Sequence, residues 1–184
     1  MPYHAFSFAL FRRNAVAALL GVGFLACGFG SASAASVTVV ALGTSNTYGF
    51  GVARNETYPA ILQEQLRKRA INVRVINAGR NGDTAKGMLA RLNASVPAGT
   101  RLVLLEIYPK NETRGGVAGE TSKNVAEIKS RLQARGIPTL DVSDAMVGTI
   151  FSRAPVLPNR HLAPAGYEIF VSRIVSQVAS ALSR

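Results

Sequence analysis

The sequence predicts an α/β domain in which a parallel β-sheet is covered by helices, and three observations carry that prediction. Short apolar runs alternate with segments of helical period along the chain. The runs are apolar at nearly every position, as in strands buried on both faces. Each ends at a polar or glycine-rich loop, and open parallel sheets hold their ligands beyond the carboxyl ends of their strands.

The predicted strands are 37–42 (VTVVAL), 73–77 (VRVIN), 102–107 (LVLLEI) and 138–142 (PTLDV). Helices are expected over 58–69, 84–95, 122–135 and 164–182. Thr57 can cap the first, with Pro59 close to its first turn. Pro164 opens the last, where Ile169, Phe170, Ile174, Val178 and Leu182 form an apolar stripe.

Residues 1–34 are read apart from this domain. Arg12 and Arg13 precede an apolar run over 15–29 that ends in Ser31-Ala32-Ser33-Ala34, the order of a secretory signal, with cleavage expected after Ala34. The run is short for a membrane span. A second reading is lipidation at Cys27, since Phe24-Leu25-Ala26-Cys27-Gly28 loosely resembles a bacterial lipobox. The expected organisation is thus a signal over 1–34 and one domain over 35–184, periplasmic or secreted.

That domain would contain no cysteine, which excludes a disulfide framework and a thiolate metal site. The 21 basic and 10 acidic residues give +11, and loss of Arg12 and Arg13 lowers this to +9. Such a charge favours contact with anionic envelope surfaces. The basic residues are scattered and lack interleaved aromatics, so nucleic acid is not an expected partner.

Four segments hold residues with chemical capacity. Gly43-Thr44-Ser45-Asn46 puts a serine on the turn after the first strand. Asn77-Ala78-Gly79-Arg80-Asn81-Gly82-Asp83-Thr84 follows the second, and Gly82 there lets backbone approach a ligand and offer its N–H to a developing oxyanion. Tyr108-Pro109-Lys110-Asn111-Glu112 follows the third. Asn159-Arg160-His161-Leu162-Ala163-Pro164 precedes the last helix, and His161 is the one histidine left once His4 departs with the signal.

In order and spacing these segments resemble the four blocks of the SGNH/GDSL hydrolases over nearly all of 35–184. The resemblance is closest to the periplasmic thioesterase, lysophospholipase and arylesterase branch. It is densest from Asn77 through Gly82-Asp83-Thr84 to Gly87, Leu89, Ala90, Arg91 and Leu92. It implies a three-layer αβα, flavodoxin-like fold with a parallel sheet of four to five strands. It also implies a serine esterase, thioesterase or lysophospholipase with Ser45 as nucleophile and His161 as base, needing no metal or organic cofactor. The implied oxyanion donors are the Ser45 and Gly82 N–H groups and the Asn111 side-chain amide, on a small acyl-ester substrate.

The chain departs from the pattern in three places. Thr44 replaces the aspartate of the Gly-Asp-Ser block. Pro158 stands three residues before the histidine, where the family carries its acid, which leaves Asn159, a backbone carbonyl, or a carboxylate from elsewhere such as Asp141 or Asp144 to orient His161. In the third block an ungapped alignment sets Lys110 at the amide position, and one inserted residue restores Asn111. Two other readings stand beside the esterase: a weakly active or non-catalytic domain that binds lipid or an acylated envelope polymer, since a site can be lost from a retained fold, and, within the enzyme class, a carbohydrate O-deacetylase.

Overall fold

The computed structural model describes Met1 and residues 36–184; the expected signal, its cleavage point after Ala34 and Cys27 lie outside the described residues. The unit Ala34–Arg184 carries β1 (Val37–Gly43), α1 (Ser45–Tyr48), α2 (Tyr58–Lys68), β2 (Val73–Gly79), α3 (Ala85–Ala90) and α4 (Leu92–Ser95). Then follow β3 (Thr100–Leu105), α5 (Pro109–Arg114), α6 (Thr121–Ala134), β4 (Thr139–Asp141), α7 (Ser143–Phe151) and α8 (Pro164–Leu182). Short 3₁₀ turns precede α2 and α6.

The four strands are parallel, in the order β2-β1-β3-β4. This is the flavodoxin-like order, with β1 and β3 inside and β2 and β4 at the edges. Successive residues of a strand point to opposite faces, and β1 divides its side chains between two cores accordingly. Val39 and Ala41 join Tyr58, Leu62 and Leu66 of α2 and Phe170, Ile174 and Val178 of α8. Val40 and Leu42 join Met88 of α3, Leu92 of α4 and Ile128 and Leu132 of α6. Sheet between two helical layers is the three-layer arrangement, and it explains why Val39 to Leu42 of β1 and Leu102 to Leu105 of β3 are apolar throughout.

Each fully buried Leu, Ile or Phe of these cores contributes about 1.5–3 kcal/mol relative to exposure. Tyr58 and Phe170 meet edge to face, with centroids 5.0 Å apart, and fasten α2 to α8.

Elements differ from expectation where local chemistry overrides period. The expected helix over 84–95 is two: Thr84 is the N-cap, its hydroxyl accepting from Gly87 N at 3.1 Å, and the helix breaks at Arg91. Arg91 leaves helical geometry (φ −103°, ψ 9°) while its guanidinium reaches Asp83, Ser95 and the Gly43 carbonyl. The third strand ends at Leu105, two residues short of expectation. Helices α5 and α7, which periodicity did not predict, follow β3 and β4.

Candidate active site

Three strand ends and one loop build the site. At the end of β1 the chain turns at Thr44 into the single turn of α1, which starts at Ser45. Gly43 is required here, because a Cβ would strike the Thr47 side chain and lie 2.7 Å from the Glu106 carboxylate. Glu106 is fully buried one residue past β3. Its carboxylate accepts from Thr44 N at 2.7 Å, from the Thr44 hydroxyl at 2.9 Å and from the Thr47 hydroxyl at 3.0 Å. Burial pushes the Glu106 carboxyl above its ordinary value, against the pull of these donors. Thr44 therefore does what an aspartate could not do beside a second carboxylate: it donates.

His161 sits on the loop before α8. Val156 and Leu162 form an antiparallel bridge, Leu157 N donates to the His161 carbonyl at 2.8 Å, and Ala163 N donates to Pro155 O at 2.9 Å. Leu162 is fully buried and anchors this loop in the core beneath. The Phe50 ring lies 5.1 Å from the imidazole, tilted by 52°.

His161 Nε2 lies 2.9 Å from Ser45 Oγ. On the other side of the ring, Nδ1 lies 3.2 Å from the Asn159 carbonyl oxygen and 3.2 Å from Asn159 Oδ1. Both are acceptors, and Oδ1 also accepts from His161 N at 3.1 Å, which fixes the amide orientation. The proton therefore belongs on Nδ1, and the lone pair of Nε2 faces the serine hydroxyl. Partial burial lowers the imidazole below its ordinary 6.5, opposed by the Asn159 carbonyl, so the ring is neutral and able to take a proton at neutral pH.

A cleft of about 450 Å³ opens beside this pair, and Ser45, His161, Gly82, Asn111, Lys110 and Asn159 all line it. Gly82 has φ +69°, and a Cβ there would project into open space. Among the described residues, the N–H groups of Ser45 and Gly82 have no acceptor within the protein. Asn111, buried in α5, donates through Nδ2 to the Asp83 carbonyl at 3.1 Å, next to Gly82, and keeps a second amide hydrogen. Lys110 is exposed at the rim.

Two expected orienters are elsewhere. Asp141 closes β4 at the sheet edge, where its carboxylate accepts from Ser143 N at 3.0 Å and meets Lys129 at 3.4 Å. Asp144 is exposed in the first turn of α7. Neither lines the cleft; the position beside Nδ1 belongs to Asn159, because the loop folds Asn159 back under the ring. Sequence reasoning missed Glu106, whose signal was a lone carboxylate closing the apolar run LVLLE. It also missed Phe50 and the Asp83–Arg91 ion pair, 2.7 Å long and largely buried.

No protein-family model matches the sequence. Esterase TesA of Pseudomonas aeruginosa is 32% identical over 127 residues, which are 67% of this chain and 62% of that protein. The chain thus spans less than two thirds of the length of this curated relative. The crystal structure of a TesA superposes with TM-score 0.69 at 21% identity over 79% of this chain and 99% of that one, a likeness of fold. AlinE4, an SGNH-hydrolase family esterase of known structure, is 31% identical with TM-score 0.53, over 79% of this chain and 74% of its own. With the flavodoxin-like sheet, the serine turn after β1 and a relative matched at this identity over most of both chains, the protein belongs to the SGNH hydrolase family.

Proposed function

We propose that this protein is a serine esterase that hydrolyses acyl esters outside the cytoplasm, with thioesters and lysophospholipid-type esters within its chemical reach. The observation that carries the reading is the 2.9 Å contact between Ser45 Oγ and the unprotonated Nε2 of His161. In the first step Ser45 Oγ attacks the acyl carbon and its proton passes to Nε2. Negative charge then collects on the former carbonyl oxygen. Ser45 N–H, Gly82 N–H and the second amide hydrogen of Asn111 are the donors for it. Collapse of this intermediate expels the alcohol or thiol, which takes the proton from Nε2 and leaves an acyl-serine. Water repeats the sequence in reverse roles and frees the acid and the serine.

The orienting group for the base is neutral. Asn159 offers two dipoles where a serine-protease triad has a carboxylate, and these hold the tautomer while stabilising the imidazolium less than a full charge would. Ser45 and His161 thus form a working but weakened dyad. Export through residues 1–34 is part of the proposal and rests on their basic, apolar and small-residue order.

Hydrolysis of 4-nitrophenyl butyrate by the wild-type protein and by Ser45→Ala, with a fluorophosphonate label on both, tests it. Wild type should turn over the ester and take up one label per chain, and Ser45→Ala should do neither while keeping its circular dichroism. Activity retained in Ser45→Ala would overturn the assignment.

A further inference from the structure

The cleft beside Ser45 and His161 has a one-sided charge. Lys110 and Arg114 reach it from α5, and Arg160 reaches it from the loop that carries His161. Among the described residues, no carboxylate lines the cleft. The nearby acids are already committed: Asp83 pairs with Arg91, and Glu112 accepts from Ala85 N at 2.7 Å and from the Thr121 hydroxyl at 2.8 Å. Glu106 accepts from the Thr44 and Thr47 hydroxyls behind the serine.

Some cations elsewhere in the fold have carboxylate partners, as Lys68 does in Glu64, Lys86 in Glu120 and Arg131 in Glu127. Among the described residues, Lys110, Arg114 and Arg160 have none. Arg160 also holds a left-handed backbone, φ +66°, a conformation that a glycine or asparagine would adopt with less strain. The loop accepts that strain with a long cationic side chain at its tip. Three like charges on a concave wall focus field into the cleft and raise the local concentration of anions.

We infer that the cleft selects acyl esters that carry a negative charge, carboxylate or phosphate, near the scissile bond, and that Lys110, Arg114 and Arg160 bind that charge. This substrate class rests on the esterase reading and narrows it. The charge can sit on the acyl part or on the alcohol part, and a pair of substrates addresses each. Mono-4-nitrophenyl adipate is compared with its neutral methyl ester, and 1-butyryl-glycerol 3-phosphate with 1-butyryl-glycerol.

At low salt kcat/KM for the anionic member of at least one pair should exceed that of the neutral member roughly tenfold, and the gap should close between about 20 mM and 0.5 M sodium chloride. The combined variant Lys110→Gln, Arg114→Gln, Arg160→Gln should bring the ratio close to one. A preference confined to one pair assigns the charge to the acyl or the alcohol side. Ratios near one for both pairs in the wild-type protein, unmoved by salt, would overturn the inference and leave the esterase reading standing. Should none of the four esters be hydrolysed, calorimetric titration with adipate and with glycerol 3-phosphate decides instead. Binding that disappears in the triple variant supports the anion site and removes only the esterase reading, whereas no binding of either probe overturns the inference as well.

Discussion

At the scale of single residues, the proposed base is set by what lies behind it. His161 Nδ1 has two oxygens of Asn159 at 3.2 Å and no carboxylate, so converting one of those oxygens to a charged one is an informative change. Asn159→Asp keeps the shape of the loop and places a carboxylate where the amide oxygen now sits. It should raise kcat/KM by roughly tenfold, about 1.4 kcal/mol of transition-state stabilisation, and raise the His161 pKa. Asn159→Ala removes one acceptor and leaves the backbone carbonyl, so a loss of only about twofold to fivefold is expected. Steady-state kinetics of the two variants against wild type check both. The wild-type pH profile offers a separate check. The proposed base works only when neutral, and burial lowers its pKa, so the acid limb of kcat/KM should have its midpoint below 6.5. In Asn159→Asp that midpoint should move up.

At the scale of elements, the turn from β1 into α1 is held from behind by Glu106. Glu106→Ala would leave one amide and two hydroxyls without their acceptor and open a void in the core. It should cost about 2–4 kcal/mol, read as a loss in thermal or urea stability. Glu106→Gln keeps an acceptor oxygen and should fold. Because burial raises the carboxyl's pKa in the folded chain, the wild type is best served below the ordinary carboxylate value of 4.5. It loses stability as the pH rises through the raised folded value, since the native state must then ionise a buried group. Glu106→Gln should flatten that part of the stability-against-pH curve, and urea titrations at several pH values measure it.

These elements also mark what sequence could reveal. The two inner strands were legible because burial on both faces leaves a continuous apolar run, and α8 because Pro164 and its stripe agree. Ser45, Gly82 and His161 could be singled out because each follows a strand or precedes a helix at the ligand end of the sheet in the order of the SGNH blocks, and Asn111 only through that resemblance, with Lys110 beside it as the alternative. Helix α5 was not legible: its six residues, PKNETR, include no apolar face, and tertiary contacts of Asn111 and Glu112 hold it. Asn159 could be only one candidate among several, since which group meets Nδ1 depends on how the loop over 155–163 folds back, and no periodicity encodes that.

At the scale of the whole molecule, Ser45 and His161 are 116 positions apart in sequence and meet because α8 packs on α2, next to β1. Leu162 and Tyr167 bury the start of α8 in the same core as Tyr58 and Leu62. Deleting residues 164–184 would keep Ser45 and His161 in the chain yet uncover that core. The truncated protein should lose both ester hydrolysis and a cooperative unfolding transition, measured by 4-nitrophenyl butyrate turnover and by thermal melting. The order of synthesis then acquires a meaning. A ribosome completes the serine turn and the whole sheet before it reaches the histidine, and the last helix is made after that. Until His161 and the helix after it have emerged and docked, the nascent chain holds Ser45 without its proposed proton acceptor, so the proposed ester chemistry waits on a segment made after the whole sheet.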